Sequence, residues 1–85
     1  MKFNQRNYQK QNFDDLIRYT GTVDRFENGW GFIQFEMGGR ARRAFVHWSA
    51  IQMPGYKVLE EGQTVEFDVE RNEKGLNALN VRVVD

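Results

Sequence analysis

The chain has no cysteine among its 85 residues, which removes a disulfide framework and a thiolate metal site and suggests a reducing compartment. It has a single histidine, His47, with no further ligand type at metal-binding spacing, so neither a metal nor a cofactor is expected. No apolar run approaches the ~20 residues of a membrane-spanning helix, and the first residues lack the apolar stretch of a signal peptide. A cytoplasmic protein without a membrane partner is the expectation. Net charge is also missing: Lys plus Arg and Asp plus Glu number 12 each, so the sum of charge does not announce a polyanion ligand. Enzymatic chemistry lacks its materials, since no nucleophile stands with a base. Asp14 and Asp15 are adjacent and do not face each other on a helix. Gly29-x-Gly31 lacks the third glycine and the helix of a phosphate-cradling loop. The chain does not read as an enzyme.

What the chain does have is two aromatic runs, Trp30-Gly31-Phe32-Ile33-Gln34-Phe35 and Ala44-Phe45-Val46-His47-Trp48. With the period-2 alternation of a strand, Trp30 and Phe32 share one face while Ile33 and Phe35 share the other. Phe45 and His47 likewise oppose Ala44 and Val46. One face of each run is core material. The other presents rings, and two neighbouring strands with outward rings form a platform on which unpaired bases stack, worth about 1–3 kcal/mol per base. Asn28 to Phe35 also follows the basic-Gly-aromatic-Gly-Phe-Val-x-aromatic pattern of single-strand readers, with Asn28 in the basic place. Aromatic cross-strand pairs also stabilise sheets by about 0.2–1 kcal/mol without any ligand. Glycines beside the rings weaken a strand, and they fit a flat ligand approaching the backbone.

Residues 1–12 carry Lys2, Arg6 and Lys10 without an acid, and their Asn/Gln content offers little to bury, so a mobile basic arm is expected. Phe13, Leu16 and Ile17 follow at helical spacing behind Asn12, predicting a short helix over 12–19. Such a helix is too short to stand alone and would dock on the domain or serve a protein partner. From Thr20 the period becomes that of strands, and residues 20–85 are expected to form the domain. Thr22–Phe26 reads as a first strand, and Asn28-Gly29 is a hairpin signal leading into the aromatic run. Residues 37–43 read as a glycine-containing loop with Arg40, Arg42 and Arg43. Ser49 and Gln52 suggest a capping box for one helical turn, stopped by Pro54-Gly55. Val65, Phe67 and Val69 alternate with acids, and Leu79, Val81 and Val83 form the inward set of a last strand. Five short strands with no long helix predict a small all-β sandwich or barrel, with closure favoured because it leaves no open edge.

Taken together, residues 21–85 resemble a cold-shock domain. The likeness runs through Gly21-Thr22-Val23, Phe26, Gly29-Trp30-Gly31-Phe32-Ile33 and Phe45-Val46-His47-Trp48-Ser49-Ala50-Ile51. It continues through Gly55-Tyr56-Lys57, Leu59-Glu60-Glu61-Gly62-Gln63, Val65-Glu66-Phe67, Lys74-Gly75 and Ala78-Leu79-Asn80-Val81. The resemblance implies a five-stranded antiparallel Greek-key barrel of the OB type that binds single-stranded RNA or DNA with little sequence preference. It implies stacking roles for Trp30, Phe32, Phe45, His47, Trp48 and Tyr56, and a basic position at Lys74. Where that family typically has Lys-Trp-Phe-Asn, this chain has Asp24-Arg25-Phe26-Glu27, so a ring and a cation are replaced. Arg25 offers a guanidinium that stacks on bases and meets phosphate. Arg40, Arg42 and Arg43 stand where the family commonly carries acids, so cationic contacts are expected there and in the arm. The alternative is a protein-interaction module using the exposed rings as an apolar patch. Asp24 and Glu27 favour that alternative, and the arginines favour nucleic acid.

Overall fold

The computed structural model describes residues 18–84. Five strands follow one another: β1 Tyr19–Glu27, β2 Trp30–Met37, β3 Arg40–His47, β4 Thr64–Asn72 and β5 Gly75–Val83, with a 3₁₀ turn at Trp48–Ala50. They close into a barrel in the order β1-β2-β3-β5-β4, with β4 returning to β1. All neighbours are antiparallel except the β3–β5 seam, which is parallel and touches through Phe45 and Asn77. The seam departs from the all-antiparallel expectation because five strands in a closed ring cannot alternate in direction all the way round, which leaves one parallel pair. The segment after β3 is not idle chain: Ile51 and Leu59 are buried in the core, and it ties to β1 through Gly62 N–H to the Val23 carbonyl and Val23 N–H to the Gln63 carbonyl, both 2.9 Å.

The core is set by strand alternation. Ile33, Phe35, Ala44, Val46, Val65 and Phe67 are all buried, as their inward parity requires. Phe35 and Phe67 meet edge to face at 5.0 Å between centroids, a geometry that suits the ring quadrupoles. Tyr19 packs on both rings. The residues expected as a helix over 12–19 lie outside the described residues up to position 17, as does the basic arm. Tyr19, placed at the end of that helix, is instead the first residue of β1.

Local expectations fail where a strand bulges or a turn is tighter than composition suggested. Residues 37–43 are not a loop: β2 runs to Met37 and β3 begins at Arg40, joined by Gly38 and Gly39 at positive φ. Two consecutive left-handed residues let a two-residue connection match the strand twist, so all three arginines lie on β3. In β5 the buried set is Leu76, Ala78 and Val81, while Leu79 is exposed. Asn80, at φ 52°, inserts an extra residue opposite β4 between the pairs Asp68–Leu79 and Glu66–Arg82. Asparagine tolerates that conformation, and the bulge reverses the parity read from Val81 and Val83. The 3₁₀ turn is capped by His47, whose Nδ1 accepts from the Ser49 N–H at 3.3 Å. Gln52 makes no capping box there; its side-chain amide reaches Asn80.

Candidate nucleic-acid interface

Asn28 and Gly29 turn the chain at φ 58° and 87°, the left-handed pair that joins two strands in register. This hairpin sets Glu27 opposite Trp30 and Arg25 opposite Phe32. Across β2 and β3 the register places Trp30 against His47 and Phe32 against Phe45. The two ring pairs therefore share the outer face that alternation assigned to them. Trp30 stacks on Phe45 with centroids 6.0 Å apart and planes 29° from parallel. Phe32 meets both rings edge-on. Beneath them lies packed core, so the platform is rigid from behind and wet in front, with Trp30 42% exposed.

Trp48 has the parity of Val46, yet it is 48% exposed. The strand stops at His47, and the 3₁₀ turn swings the indole onto the outer surface, where it tilts against the His47 ring at 5.4 Å. Its N–H of the backbone donates to the Gly29 carbonyl at 2.8 Å, fastening the turn to the first hairpin. The Ser49 hydroxyl oxygen lies 2.8 Å from the same His47 Nδ1, so the imidazole is held by the turn it caps. Tyr56 is 86% exposed and faces Trp48 across a cleft of about 610 Å³ that Phe26, Glu27 and Lys57 also line. At the other end, Phe32 and Phe45 wall a groove of about 400 Å³ with Lys74 and Asn77. The Asn72 carboxamide oxygen holds the backbone N–H groups of Lys74 and Gly75 at 2.8 and 3.1 Å, which fixes the turn carrying that lysine.

The structure thus brings Tyr56, Trp48, His47, Trp30, Phe45, Phe32 and Lys74 into one path. It divides the arginines. Arg40 and Arg42 share the strand face of Ala44 and Val46, whereas Arg43 shares that of Phe45 and His47. Arg43 donates from Nη2 to Asp24 Oδ2 at 2.9 Å, and its guanidinium carbon sits 4.6 Å from the Phe32 ring centre. Asp24 reaches it because β1 bulges between Val23 and Arg25, which places two residues opposite one and turns both side chains outward. The acid on β1 and the cation on β3, each of unexpected sign for a cold-shock pattern, are partners of each other. Arg25 lies beside Phe32 in register but pairs with Glu27 at 3.4 Å. Phe26, Lys57 and Asn77 were not singled out from the sequence. Phe26 and Lys57 were legible only as part of the resemblance, without a site role, while Asn77 comes to line the groove through barrel closure.

The glycines beside the rings have a different cause from the ligand approach expected of them. A Cβ on Gly31 would stand 1.8 Å from the Arg25 carbonyl oxygen, so the bulged strand of the protein itself occupies that space. A Cβ on Gly29 would meet the Trp48 indole at 3.0 Å.

Residues 19–84 match the family described as the 'Cold-shock' DNA-binding domain. The chain belongs to this family. Membership makes it a nucleic-acid-binding domain and not an enzyme. It is 48% identical over 67 residues to a cold shock-like protein of Thermotoga maritima, covering 76% of this chain and 97% of that one. It is 52% identical over 64 residues to cold shock protein CspC of Bacillus subtilis, covering 73% of this chain and 92% of that one. The cold-shock barrel is also similar in fold to drosophila Unr CSD456, with a TM-score of 0.62 at 22% identity, covering 88% of this chain and 31% of the other. Among the described residues no helix is long and apolar enough to cross a membrane, and no group of His, Asp and Glu could hold a metal ion.

Proposed function

We propose that this cold-shock domain binds single-stranded RNA or DNA by stacking unpaired bases along Tyr56, Trp48, His47, Trp30, Phe45 and Phe32, with Lys74 meeting phosphate at the end of the path. The observation that carries this reading is the stacked Trp30–Phe45 pair standing half-exposed on a face whose reverse is closed core. Stacking accepts any base, because every base has a π-face, so sequence preference is low. Binding of that kind suits a protein that keeps RNA unpaired or regulates transcription and translation. Intrinsic tryptophan fluorescence tests it directly. Trp30 and Trp48 both lie on the path, so single-stranded oligonucleotides should quench saturably while a duplex of the same sequence quenches little. No quenching at low salt would overturn the reading and favour a protein partner for the aromatic face.

The division of the arginines gives a second measurement. Arg43→Gln should reduce the slope of log K against log salt by about 0.7, the loss of one single-strand phosphate contact. Arg40→Gln with Arg42→Gln should leave the slope at the parent value, since both arginines sit on the other strand face. The Arg43 effect should be the same for different base sequences, because phosphates carry no sequence information. Equal slopes for the two variants would show that the strand does not distinguish these positions.

A further inference from the structure

In the barrel the Phe32 ring is already in use by a side chain of the protein itself. Arg43 lays its guanidinium over that ring at 4.6 Å, and Asp24 holds the guanidinium there at 2.9 Å. A planar cation on a ring takes the surface that a base would take. We propose that Arg43 and Asp24 together form a cover on Phe32 that a bound strand displaces, Arg43 passing from the Asp24 carboxylate to a phosphate. The proposal rests on the nucleic-acid reading above and adds a residue that limits affinity, Asp24, which touches no base.

Three features support the exchange. The side chains of Arg43 and Asp24 are 51% and 41% exposed, so their attraction is screened by water and the cover opens at small cost. A phosphate offers the guanidinium a second acceptor of the same charge and a matching bidentate geometry. Asp24 is aimed at Arg43 by the bulge between Val23 and Arg25, the same irregularity that Gly31 accommodates on β2. The cover is therefore built into the backbone and does not depend on a chance meeting of two long side chains.

The test is a double-mutant cycle on oligonucleotide affinity, with Glu36→Gln as the control. Glu36 is exposed and shares the outer face of β2 with Phe32, so its loss reports simple relief of repulsion. Asp24→Asn should tighten binding about three- to fivefold, the range expected for releasing an exposed ion pair, and Glu36→Gln should do clearly less. In an Arg43→Gln background the gain from Asp24→Asn should shrink to that of Glu36→Gln. Equal gains from the two acid substitutions, or an undiminished gain without Arg43, would overturn the cover. A parent chain that binds no single strand would overturn the nucleic-acid reading and the proposal with it. An independent readout is the Arg43 side-chain N–H resonance, which ring current from Phe32 should displace. Oligonucleotide and Asp24→Asn should each bring it back to the ordinary position, and a resonance unmoved by either would exclude the exchange.

Discussion

Gly31→Ala is expected to cost the barrel on the order of 3 kcal/mol or more, close to the upper range for forcing an extra carbon into packed structure. The added Cβ would stand 1.8 Å from the Arg25 carbonyl oxygen and 2.7 Å from the Phe26 Cα. Both obstacles are backbone, so no rotamer change relieves them, and β1 must move away from β2. That movement breaks the ladder beneath Trp30 and Phe32. A domain of this size holds only about 5–10 kcal/mol in total, so the melting temperature should fall by at least ~12 °C. Thermal or urea unfolding measures it. Gly38→Ala is the comparison: its Cβ would meet nothing, and its cost should be limited to the φ of +62°, about 1 kcal/mol. A Gly31→Ala barrel within 1 kcal/mol of the parent would show that β1 is not fixed by this approach.

Joint removal of Phe32 and Phe45 is expected to weaken single-strand binding by about 2–6 kcal/mol, at 1–3 kcal/mol per lost stacking ring. The two rings face each other across β2 and β3 and are half-buried on the outer side of the sheet. Each single alanine should cost about 1–3 kcal/mol of affinity. The same change at Phe67, fully buried in the core, should instead cost about 3–5 kcal/mol of folding stability. Fluorescence titration and thermal unfolding on these four variants separate the two kinds of loss. If the double variant unfolds at the temperature of the parent and binds like it, the rings serve neither ligand nor fold at this position. If it fails to fold, they are packing residues and the outer face is mis-assigned.

The readable parts of this barrel were those governed by neighbours in sequence. Ile33, Phe35, Ala44 and Val46 face inward and Trp30, Phe32, Phe45 and His47 face outward, as alternation alone required. The Asn28-Gly29 turn was legible because few residues take two consecutive positive φ values. Parity failed at Leu79, where one asparagine in the left-handed region reverses every side chain before it. It would have failed equally at Asp24, had the face of that residue been read. A bulge leaves no periodic trace, because the extra residue satisfies no local rule.

Composition and alternation were sufficient to point to an all-β domain with an aromatic outer face. Those properties come from side-chain type and the two-residue period, which act over a few bonds. Tyr56 and Lys74 were reached only through the family resemblance, and the tertiary structure supplies the contacts that set distant residues beside that face. Closure of β5 against β3 brings Lys74 and Asn77 beside Phe32 and Phe45, and the segment after β3 brings Tyr56 and Lys57 opposite Trp48. The register of β1 on β2 sets Asp24 within reach of Arg43, 19 residues away. These contacts depend on strand order and register around a closed ring. A sequence pattern with a period of two has no means of encoding them locally.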